Sequence, residues 1–513
     1  MQASLPKSAI RPRARTIAAW AFLVSSPFWL LLLASLLKGH SALASVPVWT
    51  DELDYWRAVY SWLHVGFGAG YSGIGELTAL LGTLSVHGIA PILLYALPAS
   101  LFGWSYASIV ILNSAWISLG ALAYVLLCRP KALAAVLLGA GLMIYAPVIL
   151  YCVTSMTELA NYGLLLMYLA LLARLYQSRH RARELPAKRR SLAGGIALLA
   201  CTAVVLLCCA YRITYVVLWL PLLWIAFDGK PSLGLLMSLL LMLLLTAGLY
   251  VWTARMASPF AAGFLYNLLR TGDVGLSLQM FLSHGKANLM DYFILPPGNP
   301  MEAAQRMLYC GMMALTLLGS WVRVQRVDGR TRLVTGLNRV NAMAFLMLFL
   351  PFLIVVSLYE TNDWADYRTL APFLWLVFAA CVTAGRKALP ALFLAGSAAV
   401  LVFLFTLAPV GAFSDAARFT PAAPSAEMQE LASAIPYEPD AADPFRNTVR
   451  TDLFTLDTVR LLHPGLGIQT GWFTEDSVGK SEWVLTDYLK IPLEGYTLVV
   501  KNGSGSVYSR VAP

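Results

Sequence analysis

The sequence predicts an all-α polytopic membrane protein with a small α/β domain at its C-terminal end. Two observations carry this. Of 513 residues, 59% are hydrophobic and only 12% are charged, and the mean hydropathy is +0.68; water-soluble chains of this length do not have that composition. Apolar runs long enough to span a bilayer also recur until about residue 409, after which the chain turns polar. The net charge of +10 does not indicate nucleic acid. The basic residues sit in short loops between apolar runs, where they act as topology signals.

The runs fall at roughly 17–37, 106–127, 132–152, 158–176, 192–210, 213–227, 231–252, 303–321, 342–358, 370–385 and 389–409, which makes about eleven spans. Lys7, Arg11, Arg13 and Arg15 precede the first run. Leu36-Leu37-Lys38-Gly39-His40 is not a small-residue cleavage site, so the run reads as a retained helix rather than a signal peptide. The seven cysteines lie in or beside apolar segments, without metal-ligand spacing, and read as small buried hydrophobes.

Orientation turns on residues 88–104, an apolar stretch interrupted by Pro91 and Pro98. If it lies in the interface, the basic N-terminus, Arg129 and Lys131, the loop 179–190, the loop 323–339 and the pair Arg386-Lys387 all share the cytoplasmic side. The positive-inside rule favours that choice. Residues 38–105 then form a first periplasmic loop with interfacial helices. The membrane module is expected over 1–413 and a soluble periplasmic domain over 414–513. In the tail, 481–489 and 496–508 alternate like strands, and Asn502-Gly503 reads as a hairpin turn. Asn502-Gly503-Ser504 also matches a glycosylation acceptor, but turn chemistry accounts for it.

This arrangement gathers the unusual charges at one membrane face. Asp51, Glu52 and Asp54 open the first loop in Thr50-Asp51-Glu52-Leu53-Asp54-Tyr55-Trp56-Arg57, and His87 follows later in that loop. On a helix Asp51, Asp54 and Tyr55 share a side. Glu158 opens a run, Arg212 closes another, and Asp366-Tyr367-Arg368 precedes a late one. Arginine suits a lipid phosphate because its planar fork binds two oxygens. The plain reading of each arginine is a side chain snorkelling from a helix end. Trp49, Trp56, Trp62, Trp104 and Trp364 read first as an interfacial belt and second as platforms for sugar rings.

The chain resembles the GT-C superfamily of membrane glycosyltransferases, which includes protein O-mannosyltransferases and aminoarabinose transferases. The resemblance rests on the acidic motif at 50–55, the His87-to-Gly103 segment, Thr157-Glu158-Leu159-Ala160, and Asp366-Tyr367-Arg368-Thr369-Leu370-Ala371-Pro372. It covers roughly 45–375. It implies a sugar donor on polyprenyl phosphate and a cell-envelope acceptor (glycan, lipid or protein). It also implies reaction at the periplasmic face of a bacterial inner membrane with inversion at the anomeric carbon. Asp51 is the implied general base. Arg368 and Arg212 are candidates to hold the leaving phosphate. Glu158 is a candidate to orient the acceptor, to help hold a metal, or only to cap a helix. Glu52, Asp54, Tyr55, His87, Asp366 and Tyr367 are candidate substrate contacts. Some relatives carry a lysine after the histidine, where this chain has Gly88-Ile89-Ala90. No cofactor is expected to be required, and a divalent cation would bind only weakly. Two alternatives remain: a polysaccharide polymerase or ligase using polyprenyl diphosphate-linked glycans, which needs no carboxylate base in the first loop, and a lipid-linked sugar flippase, which the nearly uncharged helix cores disfavour.

Overall fold

A computed structural model describes residues 14–66, 72–74, 88–180, 187–256, 272–294, 300–327, 330–359, 368–406, 424–452, 455–470, 481–487 and 493–511. His87, Asp366, Tyr367 and Trp364 lie outside them. The described chain is mostly helical, with a mixed sheet toward its C-terminus.

Among the described residues, six helices are long and apolar enough to cross a membrane: α1 (Ala14–Lys38), α4 (Ser108–Cys128), α7 (Glu158–His180), α8 (Ala187–Tyr211), α10 (Leu233–Met256) and α13 (Arg339–Leu358). The chain is therefore an integral multi-pass membrane protein. The other expected spans form shorter or less apolar helices. The 132–152 run is broken into α5 (Ala132–Ile144) and α6 (Ala146–Tyr151) at an extended Tyr145, just ahead of Pro147; proline fits a first helical turn but cannot continue one. The 213–227 run opens as a 3₁₀ helix, Ile213–Leu218, before α9 (Trp219–Ala226). Its β-branched residues are poor helix formers, and such tight turns stay short. Further on come α11 (Val274–Phe293), α12 (Pro300–Trp321), α14 (Ala371–Thr383) and α15 (Ala388–Thr406). The first loop holds α2 (Thr50–Val65) and α3 (Ala90–Phe102). At 13 residues, α3 spans about 20 Å, short of the roughly 30 Å hydrocarbon core.

Helix α7 is the most buried of the long helices and α10 the least. Close packing sets its position. A Cβ at Gly163 would lie 2.1 Å from the Trp116 carbonyl oxygen, and one at Gly120 would lie 2.1 Å from that of Gly163. Only glycine permits this approach of α4 and α7, the small-residue contact that membrane helices use in place of a hydrophobic drive. It fixes the height of Glu158, five residues before Gly163.

The six-stranded sheet runs β1-β5-β4-β6-β8-β7, with β4 (Thr448–Thr451), β5 (Gly467–Thr470), β6 (Trp483–Thr486), β7 (Tyr496–Asn502) and β8 (Gly505–Arg510). Its edge strand β1 (Ser72–Ile74) comes from the first loop and pairs parallel to β5, Gly73 opposite Gln469. Strands β7 and β8 pair antiparallel with Asn502 opposite Gly505, so Gly503 and Ser504 make the turn, one residue later than expected. Asn502 Oδ1 accepts from the Ser504 N–H at 3.0 Å. The expected basic loop after α12 contains a hairpin, β2 (Val322–Val327) with β3 (Arg330–Thr335).

Candidate active site

Helix α2 begins at Thr50 because Glu52, at its third position, reaches back to cap it. Glu52 Oε2 accepts from the Val48 and Trp49 N–H groups at 3.1 Å each, half of a capping box. Its other oxygen accepts from the Ser155 N–H at 2.6 Å. A buried carboxylate satisfied by three backbone donors is a structural tie. Here it binds the start of α2 to the turn before Glu158. That turn is also held by Asn113, which donates to the Met156 carbonyl at 2.8 Å and accepts from Tyr95 OH at 2.6 Å.

The tie presents Asp51 to Arg368. The Arg368 guanidinium lies 2.7 Å from Asp51 Oδ2, and its Nε donates to Glu158 Oε1 at 2.6 Å. Arg212 NH2 donates to the same Glu158 oxygen at 2.8 Å, and NH1 donates to Thr369 Oγ1 at 2.7 Å. Arg368 also approaches Tyr55 OH at 3.5 Å, one turn beyond Asp51. Two carboxylates and two guanidiniums, from four separated segments, thus alternate in one chain at one end of the bundle. Glu158 is fully buried, and its Oε2 has no hydrogen-bond partner among the described residues. Asp51 and Arg368 remain about one-fifth exposed. Thr157 donates to Tyr211 OH at 2.7 Å, and the Tyr211 ring lies beneath the Arg212 guanidinium at 5.4 Å.

Burial alone would lower the pKa of Arg368, but the Glu158 and Asp51 charges outweigh it and hold the pKa well above its ordinary value. Burial, then the charge of Glu158, pushes the Tyr55 phenol well up, so it stays a neutral donor. Arg368 is thus a fixed cation between two acids.

Of the residues singled out from the sequence, Asp51, Tyr55, Glu158, Arg212 and Arg368 converge. Glu52 supports them from below, and Asp54 is buried at 1% exposure on α2. Of the expected belt, Trp56 is buried and donates to the Ser105 carbonyl at 2.9 Å. Thr369, Thr157 and Tyr211 join the site although sequence reasoning gave them no role. Each adjoins a chosen residue, and that proximity was the only signal. Among the described residues no group of three or more His, Cys, Asp or Glu side chains gathers to hold a metal.

A second cluster lies on the same helix. Arg57 is fully buried and donates to the carbonyls of Val459, Leu462, His463 and Leu466, at 3.4, 3.4, 2.6 and 3.2 Å. Burial lowers its pKa to about 10. Ser61, one turn on, donates to the Pro464 carbonyl at 2.7 Å, and Arg460 donates to the Pro47 carbonyl at 2.6 Å. The C-terminal segment is therefore docked onto the helix that carries Asp51.

Fold and site define a class: an integral multi-pass membrane protein with an alternating acid–arginine network at one end of its bundle. No protein-family model matches the chain, and no curated protein matches its sequence. The crystal structure of the Archaeoglobus fulgidus oligosaccharyltransferase in the apo form is similar over 94% of this chain and 70% of that one, at 10% identity and a TM-score of 0.46. A likeness at that level assigns no chemistry.

Proposed function

We propose that the protein is an integral membrane glycosyltransferase. It transfers a sugar from a polyprenyl-phosphate donor to a cell-envelope acceptor, at the periplasmic face of a bacterial inner membrane, with inversion. About eleven membrane-crossing segments and a periplasmic C-terminal domain belong to the same reading. The supporting observation is the network Asp51–Arg368–Glu158–Arg212 at the rim of an otherwise apolar bundle. Buried charge in a membrane protein is costly, and it is kept where it does work.

In the proposed reaction the donor phosphate enters at Arg368 and takes up the guanidinium edge that otherwise holds Asp51. Freed of its partner, Asp51 accepts the proton of an acceptor hydroxyl as the oxygen attacks the anomeric carbon. The bond from that carbon to the phosphate oxygen breaks, and polyprenyl phosphate leaves with the electron pair. Its charge is met by Arg368 and Arg212, which need no reorganisation because Glu158 and Thr369 already orient them. Tyr55 donates toward the same phosphate. Glu158 acts as a positioning residue that holds both arginines. No cofactor is required in this reading, and a divalent cation is at most a weak adjunct.

The test is incubation of purified protein with a panel of polyprenyl-phosphate sugars, reading released lipid phosphate. Turnover of one donor, lost in Asp51→Asn with donor binding retained, supports the reading. Turnover only of diphosphate-linked glycans, insensitive to Asp51→Asn, would replace it with the polymerase alternative.

A further inference from the structure

The end of the bundle away from the acid–arginine network holds an apolar crevice of about 440 Å³, within the range of roughly 300–1,000 Å³ that encloses small ligands. Its interior is formed by Leu169 and Leu172 of α7, Met343 and Met347 of α13, and Leu376 and Ala380 of α14. Its mouth is polar. Arg339, the first residue of α13, lies over the Trp224 ring at 6.0 Å. Trp224 is seated by the turn that ends α9, where Asp228 and Gly229 both have positive φ (55° and 65°). A Cβ on Gly229 would come within 3.2 Å of Trp224 Nε1. Beside it Arg179 pairs with Asp228 at 3.9 Å. Among the described residues no carboxylate pairs with Arg339. With Asp228 paired to Arg179, Arg339 leaves one positive charge in excess among the described side chains at the mouth, above an apolar interior.

Depth identifies the occupant. Tyr176, also at the mouth, lies 18 residues along α7 from Glu158, or about 27 Å at the helical rise. That matches the hydrocarbon thickness of about 30 Å, so the mouth sits at the membrane boundary opposite the site. Arg179, near the end of α7, and Arg339, at the start of α13, adjoin the same end. A cation and an indole at headgroup depth over an apolar interhelical crevice fit an anionic phospholipid, phosphate at Arg339 and one acyl chain inside. The donor lipid of the proposed reaction presents its phosphate at the other boundary.

We propose that this crevice is a binding site for one anionic phospholipid of the opposite leaflet. It is lined by α7, α9, α13 and α14; α7 begins at Glu158, and α14 begins three residues after Arg368. The site stands whether or not the transferase reading does.

The experiment is native mass spectrometry of the purified full chain with equal amounts of phosphatidylglycerol, phosphatidylcholine and a polyprenyl phosphate. One phosphatidylglycerol is expected to be retained per chain. Its affinity is expected to fall about tenfold in Arg339→Gln, the loss of one charge-assisted phosphate contact. Ala380→Leu, which fills the crevice and leaves the charge, is expected to lower retention of the same lipid. Equal retention of phosphatidylcholine, retention of polyprenyl phosphate that falls in Arg339→Gln, or no response of phosphatidylglycerol to either variant would overturn the site.

Discussion

Helix α2 carries two buried charge clusters that are satisfied in opposite ways. Around Arg368, guanidiniums meet carboxylates, and each charge is matched by a movable one. Around Arg57 the guanidinium meets backbone carbonyls at 459–466. The first arrangement can be rearranged by an incoming anion, because a phosphate competes with a carboxylate on equal terms. The second cannot, because no anion replaces four carbonyls fixed by the fold of the chain. In the proposed reaction one cluster exchanges partners while the other anchors, on one helix only 16 residues long.

The largest expected effect comes from removing the exchangeable acid. Asp51→Asn should cut transfer by roughly 10²–10⁴-fold, the usual contribution of a general base, while donor affinity measured by lipid competition holds. Residual turnover within a factor of a few of wild type would mean Asp51 only steadies Arg368. Next is Glu158→Gln. Breaking a buried pair typically costs about 3–5 kcal/mol, and here two guanidiniums lose their shared carboxylate. A fall in thermal midpoint in detergent is expected, and an unchanged midpoint would show that the network is not buried in solution.

Arg57→Met tests the anchor and should cost about 1–3 kcal/mol for the stranded carbonyls. Hydrogen exchange should rise across 456–470 and in α2, with donor affinity unchanged; protection lost equally around Arg368 would erase the distinction between the clusters. The smallest effect concerns pH. Partial burial, then the Arg57 charge, hold His463 below its ordinary value. Its Nδ1 accepts from the Gly465 N–H at 3.1 Å. The undocked state then binds more protons as pH falls below about 6.5. Docking should therefore be firm above that pH and loosen on acidification, and His463→Gln should flatten the exchange profile.

The two clusters also differ in how far they could be read from sequence. Asp51 and Tyr55 lie four apart and do share a side, and Glu158, Arg212 and Arg368 stood out as charges beside apolar runs. Periodicity and charge suffice where the chemistry lies in side chains. Arg57 ended the same acidic stretch yet drew no role, because its partners are main-chain carbonyls some 400 residues later, and carbonyls have no sequence signature. Strand β1 escaped for a related reason. Three residues of a glycine-rich loop show no alternation, and their partner strand is equally remote. Glu52 looked like a sugar ligand because type and position matched Asp51; only backbone geometry reveals it as a cap.

Strand β1 has a further consequence for biogenesis. Its neighbour β5 leaves the ribosome nearly 400 residues after it. At about 5–20 residues per second, β1 waits tens of seconds for the strand that pairs with it. Until then Arg57 of α2 lacks its carbonyl partners and β1 its edge pairing, and a half-made molecule lacks the fastening that holds the helix bearing Asp51.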